Sequence, residues 1–305
     1  MILRRFPGKG HLSQDDGNDF SHFHRRNVIV CAKSCEIAYE KHTAPLSIKS
    51  CLRGTEIYEI NGVPIAVTES TYLVLNKEQP YASYIYSNET VESFCVFFRD
   101  GLETEVRAAF DHAHEHLLGN PEGSAGWLTP FFQNLRHQDV LVSHKLRRLH
   151  RGINEGRVSQ IWLDEECNNL MEALLRAHGH TLEEIEKLPL IRRATRLEIF
   201  RRLCLAKDYI ESCYDEPISL GKLARVACLS QHHFLRLFKA AFSLTPHQYL
   251  TNVRLQKALK LVREKDSPIT DVCHSVGFED PSSFTRLFKR RFHLSPLEMR
   301  RANQK

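Results

Sequence analysis

Residues 284–296 read FTRLFKRRFHLSP, and this stretch decides the fold of the C-terminal third of the 305-residue chain because a near copy precedes it. The earlier copy, residues 234–246, reads FLRLFKAAFSLTP, and eight of the thirteen positions are identical. In both copies apolar residues recur at i, i+3, i+4 and i+8, the spacing of one buried helix face. The duplication therefore predicts two similar helices, each with one buried and one exposed face.

A second, shorter helix is predicted just before each copy. Ser230 and Asp280 are N-cap residues for the two copies, and Pro281 occupies the first helical position of the second. About three residues join the helices of the first pair, and Gly277-Phe278-Glu279 makes the second turn one residue longer. The short helices bury Leu220, Leu223, Ala224 and Ala227 in the first pair, and Ile269, Val272, Cys273 and Val276 in the second.

This order of short helix, tight turn and second helix with a polar exposed face is typical of a helix-turn-helix motif. A further helix opens at Thr245-Pro246 and ends near residues 265–268, and it connects the two motifs. Two reading helices roughly 34 Å apart can enter successive major grooves on one face of DNA. The repeat therefore predicts one chain with two DNA-reading elements.

The charge distribution favours a polyanionic partner for the same region. Residues 190–305 hold 22 Lys and Arg against 11 Asp and Glu, a net charge of +11, whereas residues 1–189 carry −6. A solvated basic surface would give the same count. The charge therefore supports the prediction of DNA binding made from the repeat, but it would not establish that prediction alone.

Residues 217–250 and 267–301 resemble the paired helix-turn-helix domain of AraC/XylS-type transcriptional regulators. The second segment carries the pattern I-x-x-V-C-x-x-V-G-F followed by F-x-R-x-F-K-R-x-F-x-x-S-P. The resemblance spans roughly residues 195–303. It implies an α+β chain with an N-terminal cupin-like β barrel, a helical linker or dimerisation segment, and an all-α domain with two helix-turn-helix motifs. The expected domains are an arm at 1–26, the barrel sensor at 27–100, the helical segment at 101–189 and the DNA-binding domain at 190–305.

The resemblance also implies a function and partners. It implies a sequence-specific regulator, usually an activator, that binds double-stranded promoter DNA as a homodimer, contacts RNA polymerase and responds to a small-molecule effector in the barrel. No enzymatic activity and no cofactor are expected. Two alternatives stay open: a barrel enzyme with an accessory nucleic-acid-binding domain, and a regulator controlled by a protein partner without a small-molecule effector.

The resemblance places base-facing positions on both reading helices. Leu235 is apolar and suits a thymine methyl group, whereas Pro281 offers neither a backbone donor nor a polar side chain. Basic residues further along each helix are expected to contact phosphates, which position the protein without specifying sequence. The predicted base-facing residues are His232, Leu235, Arg236, Pro281, Ser282, Thr285 and Arg286, with Gln231 on the same exposed face, and the predicted phosphate contacts are Lys239, Lys289 and Arg290.

The N-terminal part reads as strands. Over residues 27–98, eight runs rich in Val, Ile, Tyr, Phe and Thr recur every 8–12 residues, and Asn61-Gly62 is the strongest hairpin signal among them. This pattern predicts a small barrel or sandwich. Helical spacing begins after Gly101. These helices either form a dimer interface, through residues 102–118 or 141–178, or pack on the barrel. Residues 1–26 are expected to form a mobile arm.

Metal sites are not predicted. His112 and His116 lie at i, i+4, but they alternate with Asp111 and Glu115 as on a solvated helix face. The strands offer His42 alone among histidines, which argues against a metal-dependent barrel enzyme. Five tyrosines of the strands either pack the barrel or line an organic-ligand pocket, with packing favoured, and no effector-binding residue is predicted: Tyr58, Tyr72, Tyr81, Tyr84 and Tyr86.

Cysteine usage and hydropathy address location. The nine cysteines are scattered, and the close pair Cys31-x3-Cys35 is expected to be two ordinary thiols, which together suit a reducing compartment. No apolar run approaches the roughly 20 residues needed to span a bilayer. We therefore expect a cytoplasmic protein that does not enter the membrane.

Overall fold

The chain divides into two compact units, a sheet-rich unit Met1–Lys187 and a helical unit Leu188–Lys305. The computed structural model describes residues 1–8, 21–109, 130–131, 135–137, 140–186, 188–189, 192–264 and 267–303. Within these ranges no helix combines the length and the apolar character that crossing a membrane requires.

Eight strands of the first unit form one sheet. Its order is β1-β2-β7-β3-β6-β8, and β4 pairs with both β5 and β7. The β1–β2 pair is parallel and the other pairs are antiparallel. The strands are β1 (Ile2–Leu3), β2 (Val28–His42), β3 (Ser47–Arg53), β4 (Thr55–Ile60), β5 (Val63–Thr68), β6 (Thr71–Leu75), β7 (Tyr81–Phe97) and β8 (Leu135–His137).

The predicted strand pattern is confirmed, with fewer and longer strands than predicted. Two pairs of predicted runs merge into β2 and β7, because the β2–β7 ladder continues past register shifts at Ser34/Glu36 and Tyr39/His42. A bulge bends a strand without ending it. The predicted hairpin joins β4 to β5: Asn61 and Gly62 have φ of 52° and 75°, as a type I′ turn requires.

Alternate residues of the sheet enter two different cores. Along β2, Val28 and Val30 pack inside the curved sheet, whereas Ile29 and Cys31 face the opposite side. The outer core is completed by two helices, α2 (Val142–Asn154) and α3 (Gln160–Glu186). Both faces of β2 are therefore buried over residues 28–32, and this explains why these five residues are apolar without interruption.

The first residues of the chain belong to the sheet, although sequence analysis assigned residues 1–26 to a mobile arm. Ile2 and Leu3 pair with Ile29 and Val30. The Met1 ammonium group donates a hydrogen bond to the Asn27 carbonyl oxygen at 2.8 Å. Backbone pairing and the packing of Leu3 against the inner core hold these residues. Residues 9–20, which contain most of the Gly and Asp residues behind the prediction of an arm, lie outside the described residues.

A helix also begins where the sequence predicted one. Residues 102–109 are helical (α1), and the remainder of the predicted helix 102–118 lies outside the described residues, as do His112 and His116. Leu102 packs into the outer core with α2 and α3.

The interior of the curved sheet contains buried charged groups. Lys49 is 2% exposed, its Nζ donates to Tyr81 Oη at 3.0 Å, and it lies 3.8 Å from the centre of the Phe97 ring. Glu56 is equally buried and accepts a hydrogen bond from Ser93 Oγ at 2.6 Å. Burial lowers the pKa of Lys49 to about 8 and raises the pKa of Glu56.

The helical unit has two cores, one for each copy of the repeat. Phe234 and Phe238 lie in the first core, and Phe284 and Phe288 lie in the second. Its helices are α4 (Arg193–Ser212), α5 (Leu220–Val226), α6 (Gln231–Phe242), α7 (Pro246–Glu264), α8 (Ile269–Ser275), α9 (Pro281–Phe292) and α10 (Pro296–Asn303).

Replacing Lys49 by Met is expected to change how stability depends on pH. Between the folded pKa of about 8 and the ordinary lysine value of 10.5, the unfolded chain holds a proton that the folded chain lacks, so raising the pH stabilises the folded state. Relative to Lys49→Met, the wild-type chain should gain up to about 3 kcal/mol of unfolding free energy as pH rises through this window.

The measurement is urea unfolding followed by tryptophan fluorescence, since both tryptophans, Trp127 and Trp162, precede residue 188. Tyr58, whose pKa burial raises, is present in both proteins, and its contribution cancels in the difference. The exposed Lys41 gives the control variant Lys41→Met, for which the difference should not vary with pH. A flat difference for Lys49→Met between pH 7 and 10 would contradict the assignment.

Candidate nucleic-acid interface

The first helix-turn-helix motif consists of α5 and α6. Ser219 caps α5 by accepting a hydrogen bond from the Lys222 amide at 3.2 Å, and Ser230 caps α6 by accepting one from the His233 amide at 3.4 Å. Four residues, 227–230, separate the helices. The predicted cap at Ser230 is confirmed.

The second motif consists of α8 and α9 and repeats this construction with a longer turn. Asp280 caps α9 by accepting hydrogen bonds from the Ser282 and Ser283 amides at 3.1 and 2.9 Å, and Pro281 is the first helical residue. Five residues, 276–280, separate the helices, so the predicted extra residue is confirmed. Hydrogen bonds from Ser283 and Ser282 lower the pKa of Asp280, and the cap therefore stays ionised at neutral pH.

Equivalent phenylalanines are buried in both reading helices, so each helix has the same orientation about its own axis relative to its core. The rings of Phe234 and Phe238 are 5.3 Å apart in α6, and those of Phe284 and Phe288 are 5.7 Å apart in α9. All four side chains are fully buried. Since these positions correspond in the repeat, the opposite face of each helix is the exposed one.

The structure places the predicted contact residues on these faces. Pro281 and Thr285 are half-buried, and Leu235 is an apolar side chain that is 38% exposed. The other predicted residues are exposed: Gln231, His232, Arg236, Lys239, Ser282, Arg286, Lys289 and Arg290. Arg236 and Arg286 occupy equivalent positions, 50 residues apart, in the two helices.

Two further exposed arginines of the helical unit were not singled out from the sequence. Arg225 lies in the last turn of α5, and Arg291 in the last turn of α9. Arg291 follows Phe284 by seven residues, so it lies on the side of α9 that carries the buried phenylalanines and not on the side of Arg286. The exposed cations predicted to contact phosphates therefore remain Lys239, Lys289 and Arg290.

The helix α7 begins with a reciprocal cap that recurs at α10. The Thr245 amide donates to Gln248 Oε1 at 2.9 Å, and the Gln248 amide donates to Thr245 Oγ1 at 3.3 Å. Ser295 and Glu298 make the same pair of bonds at 2.7 and 3.3 Å. These are capping boxes, and they fix the start of α7 and of α10 shortly after each reading helix ends.

Other residues considered as sites behave as packing or ion-pair groups. Tyr58, Tyr72 and Tyr81 are buried in the two cores of the sheet, whereas Tyr86 is 68% exposed. Among described residues, Cys31, Glu92 and His150 bring their possible metal-ligand atoms within 4.8 Å of one another. Lys33 Nζ lies 3.1 Å from Glu92 Oε2 and already balances its charge.

Cys31 and Cys35, predicted to be two ordinary thiols, form no disulfide; Cys31 is buried and Cys35 is exposed. His42 lies at the rim of a small cavity of about 30 Å³ inside the curved sheet. Burial lowers the pKa of His42. Lys49, Glu56 and Tyr81 line the same cavity, and Phe6 and Pro7 complete its wall.

Comparison with known proteins gives three kinds of match. A family model described as a helix-turn-helix domain matches residues 223–302. The HTH-type transcriptional activator RhaS of Escherichia coli O1:K1 / APEC is 30% identical over 253 residues, which cover 81% of this chain and 82% of that protein. The probable transcriptional regulator LumQ of Photobacterium leiognathi is 31% identical over 136 residues, which cover 44% of this chain and 50% of that protein.

Among solved structures, a probable AraC family transcriptional regulator from Rhodopseudomonas palustris CGA009 is 25% identical. The match covers 32% of this chain and 93% of that one, with a TM-score of 0.31. The present chain thus spans half the length of LumQ and about four fifths of RhaS.

Replacing Arg236 or Arg286 by Ala is expected to weaken binding to the preferred DNA by about 1–3 kcal/mol for each variant, because each removes a side chain that is predicted to contact base edges. The measurement is a binding titration at one fixed salt concentration. Lys239→Ala is the comparison within α6, and it should weaken binding to all sequences alike. Unchanged affinity in both arginine variants would contradict the assignment of these faces.

Proposed function

This chain belongs to the AraC/XylS family of transcriptional regulators, and we propose that it activates transcription in response to an effector by reading two successive major grooves. The observation that carries the proposal is the pair of reading helices, α6 and α9, which bury equivalent phenylalanines and expose equivalent arginines. A single motif would offer only a few base contacts. Two motifs joined by the 19-residue helix α7 roughly double the readable sequence.

Arg236 and Arg286 are proposed as the principal base-reading residues. Arginine offers a bidentate donor pair that matches guanine O6 and N7. Support for the remaining base-facing positions is their exposure on the same two faces, at His232, Leu235, Pro281, Ser282 and Thr285, with Gln231 beside them. Lys239, Lys289 and Arg290 are proposed as phosphate contacts.

The sheet-rich unit is proposed as the sensor. The division of labour follows the expected domains: a sensor at 27–100, a dimerisation segment at 101–189 and DNA binding at 190–305. What supports an effector site is the buried pair Lys49 and Glu56 beside the cavity inside the sheet. A buried cation and a buried carboxyl group without a direct ion pair can both bond to a polar ligand.

The effector is proposed to be a small polar organic molecule that enters past Phe6 and Pro7. The present cavity of about 30 Å³ has room for about one water molecule, so binding requires these two residues to move. Tyr39 Oη donates a hydrogen bond to the Pro7 carbonyl oxygen and holds them in place. Effector binding would then change the population of conformations that can bind DNA, and this couples the two units thermodynamically.

Catalysis is not assigned to the sheet-rich unit, since RhaS and LumQ are both named as transcriptional regulators. RNA polymerase and a second copy of the chain are proposed as partners, and the proposal places the protein in the cytoplasm. The alternative of control by a protein partner predicts no small-molecule stabilisation of the sensor. A thermal-shift screen of the full chain with polar metabolites distinguishes the two.

Selection of binding sites from random DNA by the full chain, at a stated salt concentration, tests the proposal. We expect a motif of two parts whose centres lie about one helical turn, 10–10.5 base pairs, apart. A homodimer would repeat the whole motif. Because phosphate contacts contribute, the logarithm of the affinity should fall linearly with the logarithm of salt concentration.

The control is the double variant Arg236→Ala/Arg286→Ala, which should enrich no motif. Enrichment of a motif with one part only would contradict reading by both helices.

A further inference from the structure

The helix α7 makes a second connection between the two reading motifs, in addition to its own backbone. Arg254, in the middle of α7, donates from Nε to the Tyr214 carbonyl oxygen at 2.7 Å and from Nη2 to the Glu216 carbonyl oxygen at 2.9 Å. Both carbonyl groups belong to the loop that leads from α4 into the first motif. One guanidinium group therefore holds this loop against α7.

The other side of the same guanidinium group faces the second motif. Its Cζ lies 5.7 Å from the centre of the Phe278 ring, in the turn between α8 and α9. Phe278 packs into the core of the second motif and contacts the Phe284 ring at a centroid distance of 5.3 Å. Arg254 thus contacts a loop of the first motif and the turn of the second.

Gly277 shows how closely these segments approach. Its φ is +85°, and a Cβ atom built on it would lie 2.8 Å from Arg254 Nη2 and 2.8 Å from the Asp215 carbonyl oxygen. Neither the backbone conformation nor the space accepts a side chain. The turn of the second motif therefore contacts the loop of the first motif at Gly277, where glycine is the residue type that fits.

Tyr214 completes the connection. Its ring packs against the core of the first motif and also against that of the second. Lys257, one turn beyond Arg254 on α7, places its Nζ 5.3 Å from the centre of this ring. We call Tyr214, Arg254, Lys257, Gly277 and Phe278 the Tyr214–Arg254 junction.

The electrostatics of the junction favour a fixed geometry. Burial lowers the pKa of Arg254 from its ordinary value, whereas the nearby carboxylates of Asp215 and Glu279 raise it. A guanidinium group stays charged in proteins, so its hydrogen bonds to the two carbonyl groups are charge-assisted. The planar fork also sets the direction of both bonds, which an ammonium group does not do.

We propose that Arg254 is a positioning residue that sets the orientation of the second reading helix relative to the first, and thereby the DNA spacing that the chain accepts. The inference rests on the proposed function of reading two grooves. The helix α7 packs into both cores and fixes the distance between the two motifs. The second attachment at Tyr214 and Phe278 adds a restraint on their relative rotation, so that a change of one base pair between the two DNA subsites is no longer absorbed.

The test uses the full chain and three DNA duplexes that carry both subsites, with the spacer one base pair shorter, unchanged or one base pair longer. A fourth duplex carries one subsite only. Arg254→Met keeps the length of the side chain and removes both donors, and Arg254→Lys keeps the charge without the fork. Arg263→Met is the matched control, because Arg263 lies on the same helix, is exposed and is outside the junction.

For Arg254→Met we expect affinity at the preferred spacing to fall by about tenfold, as for residues that act through a shared contact. Affinity for the two altered spacings should change by less than about twofold, so that the preference among spacers flattens. Arg254→Lys should give an intermediate profile, and Arg263→Met should keep that of the wild type. Affinity for the single subsite should stay the same in all variants.

Two results would overturn the inference. An equal loss at every spacing would mean that Arg254 only stabilises the fold, and thermal unfolding of each variant measures that contribution directly. An unchanged spacing profile in Arg254→Met would mean that the junction does not set orientation. Should Arg254→Met fail to fold, the comparison of Arg254→Lys with Arg263→Met decides in the same way.

The same experiment distinguishes failure of the proposed function from failure of the role proposed for Arg254. If the wild-type chain prefers no two-part site, reading by two motifs is wrong. If the wild-type chain prefers one spacing and Arg254→Met keeps that preference, only the role of Arg254 is wrong.

Discussion

Burial of one face of α6 and of α9 is the constraint on which the rest of the interface depends. A helix repeats every 3.6 residues, so once Phe234 and Phe238 are buried, the direction of every other side chain of α6 is set. The same holds for Phe284 and Phe288 in α9. Base-reading residues are thus aimed by apolar residues on the far side of the helix, and a change in the core would rotate the reading face.

The sheet-rich unit buries two ionisable side chains in an apolar interior. Lys49 and Glu56 cost free energy when they leave water, and their partners Tyr81 and Ser93 recover only part of it. The aromatic ring of Phe97 adds a cation–π contact. A protein that needed only a stable barrel would be served better by apolar residues here, and this favours a ligand-related role for the two groups.

Local signals account for what the sequence predicted well. Caps at Ser230 and Asp280, the Pro281 start and the Asn61-Gly62 turn depend on residues within a few positions of one another, so a single sequence contains them. The merging of strand runs into β2 and β7 depends on a partner strand about 50 residues away, which no local pattern contains. The pairing of Ile2 with Ile29 and the place of Arg254 between two loops were missed for the same reason. The proposed effector is a separate molecule, and the residue patterns of this chain carry no information about its identity.

The two cores of the helical unit have a consequence for how the protein leaves DNA. Each reading helix is packed against its own set of phenylalanines, and Tyr214 is the side chain that packs against both cores. While one helix is released, the other keeps it at a high effective concentration over its subsite, and rebinding competes with escape. The protein therefore leaves a two-part site only when both reading helices are released from their subsites at the same time. The residence time can be long even when each helix alone binds weakly.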